Sequence, residues 1–135
     1  MGQLVDTSVW VSFERRGRPI QTLIEAYPEE SVVISAITVS ELLAGVLLAD
    51  SSERRHEREL VVEAIFKAVS VEPFDLGAAR VRARLWTELT SARQMIGSHD
   101  LIIAATALAF GHAVVTLNAR DFGRVTGLIV REPPM

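Results

Sequence analysis

Leu4-Val5-Asp6-Thr7-Ser8-Val9-Trp10 is the stretch on which the reading of this chain turns. Leu4-Val5 is a short apolar run of strand type, and Asp6-Thr7-Ser8 closes it. Val9, Trp10 and Phe13 then fall on one helical face, so the hydrophobic period changes at Asp6. A strand that passes directly into a helix, with a carboxylate at the junction, is one half of a βαβ unit. Arg15-Arg16-Gly17-Arg18-Pro19 ends that helix.

Working outward, the alternation continues. Residues 20–26 form a short amphipathic helix that stops near Pro28, and Val32-Val33-Ile34 is a bounded β-branched strand. Thr38-Val39-Ser40-Glu41 opens a helix to about Ala49. Asp50-Ser51-Ser52 breaks the chain before a charged helix over 53–68. Val69-Ser70-Val71 is a strand, and Pro73-Phe74-Asp75 leads into a long helix over 76–93. Gly97-Ser98-His99-Asp100 opens the most apolar helix, which ends at Gly111. Val114-Val115-Thr116 is a strand and residues 118–122 are a loop or a single helical turn. Leu128-Ile129-Val130 is a last strand, stopped by Pro133-Pro134.

Strands separated by helices imply right-handed crossovers. The expected fold is therefore α/β, three layers α/β/α, with a central mainly parallel sheet of four to five strands. Residues 101–110 are apolar on every side, so that helix should be central. Ligands of such sheets bind beyond the carboxyl ends of the strands, and Asp6 lies directly beyond the first.

The bulk numbers bound the function. A chain of 135 residues, 49% of them hydrophobic, fits one domain over 1–135 with a sizeable core. It has no cysteine, which excludes disulfides, thiolate catalysis and Cys-ligated zinc. The first residues carry no basic region or long apolar stretch of a signal peptide, and residues 101–110 are too few to span a bilayer. A cytoplasmic protein is expected. The net charge of −3 is not that of a protein that binds nucleic acid by charge alone. No HExxH spacing, Walker A loop, GxGxxG or GxSxG elbow is present.

Asp6, Glu41, Asp100 and Asp121 each stand at a strand end or near a helix start. Taken singly, each has an ordinary explanation. Asp6 fits an N-cap, Thr38-x-x-Glu41 a capping box, Asp100 a first-turn dipole partner and Asp121 a surface loop. Gathered on one rim they are a different matter. Two unit charges ~4 Å apart repel by roughly 1 kcal/mol in water and ~4 kcal/mol at an effective dielectric near 20. A divalent cation relieves that repulsion, and oxygen-only ligands suit Mg²⁺ or Mn²⁺. Metal held in this way suits phosphodiester hydrolysis. Arg15, Arg16 and Arg18, in the loop after the first helix, are candidate phosphate contacts. The arginines of the helices over 53–68 and 76–93 read mainly as solvated faces.

These residues resemble the PIN domain and, within it, the small VapC-like toxins of bacterial toxin–antitoxin modules. The likeness rests on Leu4 to Trp10, on Ser40-Glu41-Leu42, on His99-Asp100-Leu101-Ile102-Ile103-Ala104-Ala105-Thr106-Ala107, and on Val115-Thr116-Leu117-Asn118-Ala119-Arg120-Asp121-Phe122, in that order and spacing. The resemblance implies a Mg²⁺- or Mn²⁺-dependent endoribonuclease whose metal-binding acids are Asp6, Glu41, Asp100 and Asp121. Asn118 stands where some relatives carry an acid. Thr7 or Ser8 and Thr116 match hydroxyl positions that hold water or phosphate. The resemblance further implies a homodimer and a small antitoxin covering the active-site groove. Two alternatives stand beside the toxin: a PIN nuclease of RNA or DNA processing, and a catalytically inactive partner-binding module.

Overall fold

Five short strands build the sheet: β1 (Gln3–Val5), β2 (Val32–Ser35), β3 (Ser70–Glu72), β4 (Ala113–Val115) and β5 (Val130–Arg131). They lie in the order β3-β2-β1-β4-β5, and every pairing is parallel. The computed structural model describes residues 1–134. Seven helices connect the strands: α1 (Thr7–Arg15), α2 (Ile20–Glu25), α3 (Ala36–Leu47), α4 (Ser52–Ala68), α5 (Leu76–Ser91), α6 (Ser98–Phe110) and α7 (Ala119–Phe122). The expected three-layer α/β/α architecture is present, with five strands.

The pleat explains the layers. Successive side chains of a strand point to opposite faces. Leu4, Val33 and Val114 pack against Leu85 and Leu89 of α5 and Leu101, Ile103 and Ala104 of α6. Their neighbours Val5, Ile34 and Val115 pack on the other face, against Trp10 and Phe13 of α1, Leu42 of α3 and Ile65 of α4. The central strands are covered on both sides, which is why they read as continuous apolar runs. Trp10 and Phe13 are thus core residues, and the Trp10 indole N–H donates to the Val5 carbonyl at 3.2 Å.

α6 is the central helix its composition demands. Ala104, Ala105 and Ala107 are fully buried and let it lie close to its neighbours, and Thr106 satisfies its hydroxyl on the Ile102 carbonyl at 2.8 Å. It stops at Gly111, whose φ of 73° is the left-handed conformation of a helix C-terminal cap.

Most boundaries shift by a residue or two from the sequence reading, and two of the shifts have a visible cause. α3 starts at Ala36, not Thr38, because Ser35 is both the last residue of β2 and the N-cap. Its Oγ accepts from the Thr38 N–H at 3.2 Å. Thr38-x-x-Glu41 is therefore no capping box, and Glu41 is released from that role. β5 begins at Val130 because Gly127, at φ 86°, and a Leu128 N–H to Val125 carbonyl bond of 3.3 Å use up the preceding residues in a turn.

Candidate active site

The connections β1→β2→β3 run to one side of β1, and the crossover to β4 returns to the other. The carboxyl ends of β1 and β4 therefore flank a topological switch point, where a crevice opens in this class of sheet. Asp6 follows the last residue of β1 and Thr116 the last residue of β4. The Asp6 N–H donates to the Val115 carbonyl at 2.9 Å, which fixes the first junction against the second.

Asp6 holds the N-cap position of α1, yet its side chain makes no capping bond. Its Oδ2 accepts instead from Ser8 Oγ and from Thr116 Oγ1, each at 2.8 Å. The residue is 4% exposed. Burial pushes its carboxyl above the ordinary carboxylate range, the two hydroxyls draw it part of the way back, and the charge of Glu41 adds to the rise. Ser8 Oγ also accepts the Leu117 N–H at 3.3 Å, so α1 and the loop after β4 are tied together at this point.

Glu41 lies in the second turn of α3, with Oε1 accepting from Thr7 Oγ1 at 2.8 Å and Oε2 at 3.4 Å from His99 Nδ1. Asp100 arrives from the first turn of α6. Its carboxyl is pushed up to about 6, chiefly by burial and then by the charges of Asp6 and Glu41; Asn118 offsets this in part and Asp121 adds a little. The charges of Asp6, Glu41 and Asp121 thus act on the Asp100 carboxyl in the same sense as its burial.

Asp6, Glu41, Asp100, Asn118, Arg15 and Arg16 share the wall of one open cleft of about 610 Å³, with Thr7 and Ser8 beside them. Asp121 does not line it. Asn118 stands between, its Nδ2 donating to Asp121 Oδ2 at 3.1 Å and to Asp100 Oδ2 at 3.4 Å, while Arg124 lies 3.8 Å from the other Asp121 oxygen. Arg18 is also outside. Its guanidinium sits 5.0 Å over the Phe13 ring and donates to the Pro134 carbonyl at 3.4 Å. Of the three arginines, two line the cleft with the acids and one braces the chain.

The donors are carboxylates, hydroxyls and an amide oxygen, a hard set that suits an oxygen-seeking divalent cation. Among the described residues, no three acidic or histidine side chains already converge on one ligating point. The acids line the wall of a cleft that a cation of that kind would enter. Three neighbours of the acids were not picked out as site residues from sequence. Ser12 lines the cleft one turn beyond Ser8, a spacing that could have shown it. His99, next to Asp100 in the chain, reaches Glu41 on a different helix. Thr38 was assigned to a cap and is buried beside Thr7.

A parallel α/β sheet with a carboxylate cleft at its switch point places the molecule among doubly wound, cleft-bearing folds. The PIN domain family matches residues 4–128, and the chain belongs to that family. Ribonuclease VapC1 of Rickettsia felis is 34% identical to it over 130 residues, 96% of this chain and 95% of that protein. Ribonuclease VapC of Rickettsia bellii is 33% identical over 135 residues, 100% of this chain and 98% of that one. The crystal structure of DNA-bound VapBC from Salmonella typhimurium contains a chain that superposes with a TM-score of 0.86 at 26% identity, covering 98% of both. No helix among the described residues is long and apolar enough to cross a membrane.

Proposed function

We propose that this chain is a metal-dependent endoribonuclease, the toxin of a toxin–antitoxin pair, working as one nuclease domain over residues 1–135 in the cytoplasm. The observation that carries the reading is that Asp6, Glu41 and Asp100, from three separate elements, line one cleft, where burial first and then the charges of Asp6 and Glu41 raise the Asp100 carboxyl to about 6. Relatives named as VapC ribonucleases over nearly the full chain support the same activity. The VapBC complex supports a cognate antitoxin as partner. A homodimer is part of the proposal.

Asp6, Glu41 and Asp100 would hold the cation, Mg²⁺ or Mn²⁺. Asn118 and Asp121 would back Asp100, and of the two Asn118 is the nearer to the cleft. Such a cation supplies Lewis-acid activation of water and neutralises charge at the scissile phosphate. The chain's own residues do the rest. Ser8 and Thr116 fix the Asp6 carboxylate through one oxygen, and no other side chain among the described residues is bonded to the second. Arg15 and Arg16 stand on the α1 side of the cleft, where they can take backbone phosphates and offset the repulsion between RNA and the acids.

Asp6→Asn and Asp100→Asn should each lower Mg²⁺- or Mn²⁺-dependent cleavage of single-stranded RNA by ~100-fold or more, with the circular-dichroism spectrum unchanged. Wild-type cleavage that persists in EDTA, or a variant that cuts normally, would refute the assignment.

A further inference from the structure

A line of hydroxyls runs from the buried end of β2 to the cleft. Ser35 Oγ lies 3.1 Å from Thr38 Oγ1, Thr38 Oγ1 lies 3.0 Å from Thr7 Oγ1, and Thr7 Oγ1 lies 2.8 Å from Glu41 Oε1. Ser35 and Thr38 are fully buried. Each hydroxyl has one proton, which dictates the direction of the whole line. A carboxylate cannot donate, so the Thr7 proton is committed to Glu41. Thr7 can then only accept from Thr38, and Thr38 can only accept from Ser35. Ser35 Oγ in turn accepts the Thr38 N–H that caps α3. Every proton and every donor is used once, with none left over. Hydrogen bonds in such a chain polarise one another in the same sense, which strengthens the last one.

The geometry points to Thr38 as a positioning residue: through Thr7 it holds the Glu41 carboxylate in the rotamer that faces the cleft. Its hydroxyl is bonded to no acid directly. This rests on the metal-dependent reading above. The line joins the α3 cap to α1, so the position of Glu41 is set by the packing of two helices rather than by its own partly exposed stem. His99, at 3.4 Å from Glu41 Oε2, is 55% exposed and gives no comparable hold. Neither Ser35 nor Thr38 has another side-chain partner among the described residues, so a purely local capping role would need Ser35 alone.

The test is Mn²⁺ binding by calorimetry, without RNA. Thr38→Val should weaken Mn²⁺ binding by on the order of 10-fold, as loss of an outer partner of a ligand does. Thr38→Ser, which restores the hydroxyl, should return it to within about 2-fold of wild type. Thr38→Val should cost nothing further, within about 2-fold, in a Glu41→Ala chain, because the end of the line is already gone. Equal losses in both backgrounds, or failure of the serine to rescue, would reduce Thr38 to a packing residue and overturn the inference. Wild-type binding with an unaffected Thr38→Val variant overturns the line alone. A wild type that binds no Mn²⁺ overturns the metal reading with it.

Discussion

Replacing Asp100 by Asn should stabilise the metal-free protein at neutral pH. The Asp100 carboxyl stands at about 6 instead of an ordinary 3.8. At about 1.4 kcal/mol per pH decade, holding it ionised at pH 7.5 costs at most ~3 kcal/mol. The group is only half-buried, and solvent screening reduces the figure to ~1–1.5 kcal/mol. Asn forfeits the first-turn charge at the N-terminus of α6, a loss of ~0.5 kcal/mol. The net gain is then ~0.5–1 kcal/mol, or ~2–4 °C in Tm for a chain of this size. The sign with pH follows from the direction of the shift. Between about pH 4 and pH 6 the folded state binds more protons than the unfolded one, so wild-type stability falls as pH rises through that window. The advantage of Asp100→Asn should therefore be full at pH 7.5 and shrink toward pH 4.5. With Mn²⁺ at 100 times its Kd the order should reverse, because the wild type gains ~2.7 kcal/mol that the variant cannot match. Scanning calorimetry in EDTA and in Mn²⁺ at both pH values reads all four quantities. A variant that melts below wild type in EDTA at pH 7.5, or differs from it equally at both pH values, would show that Asp100 is an ordinary helix-start residue and that the crowding is not real.

Asp121→Ala should reduce cleavage by roughly 10-fold, well short of the loss at Asp6, because Asp121 reaches the cleft only through Asn118; initial rates on one RNA compare them, and equal losses would make Asp121 a direct ligand. Arg15→Ala and Arg16→Ala should each raise KM with little change in kcat and reduce the salt slope of RNA binding by about 0.7 per lost phosphate contact. Arg18→Ala should leave that slope unchanged, since its guanidinium is engaged on Phe13 and Pro134; a fall equal to that at Arg15 would contradict the placement.

The order of elements was legible in the sequence because it depends on local period and punctuation. Leu4-Val5 before Asp6, the unbroken apolar run over 101–110 and the Gly111 stop are each readable within a few residues of themselves. Asp6 and Asp100 were legible for the same reason, since a carboxylate at the edge of a buried element is conspicuous wherever that element folds. Other features were hidden by competition between equally good local patterns. Ser35 and Thr38 both suit the start of α3, and only the pairing of Ser35 in the sheet decides that the cap falls there. Asp121 and Arg18 carry the right chemistry, yet Asn118 and Phe13 take them out of the cleft.

Sequence alone thus determined the alternating α/β pattern, the two-sided sheet and the acids at the ends of its elements, because patterning and burial are properties of short stretches. Tertiary structure decided which acids share the cleft, which arginines line it with them and how Thr7 bonds to both Thr38 and Glu41. The bonds from Thr7 to Thr38 and from Thr116 to Asp6 join residues 31 and 110 positions apart, and a contact of that kind exists only once the strands have paired and the helices have packed.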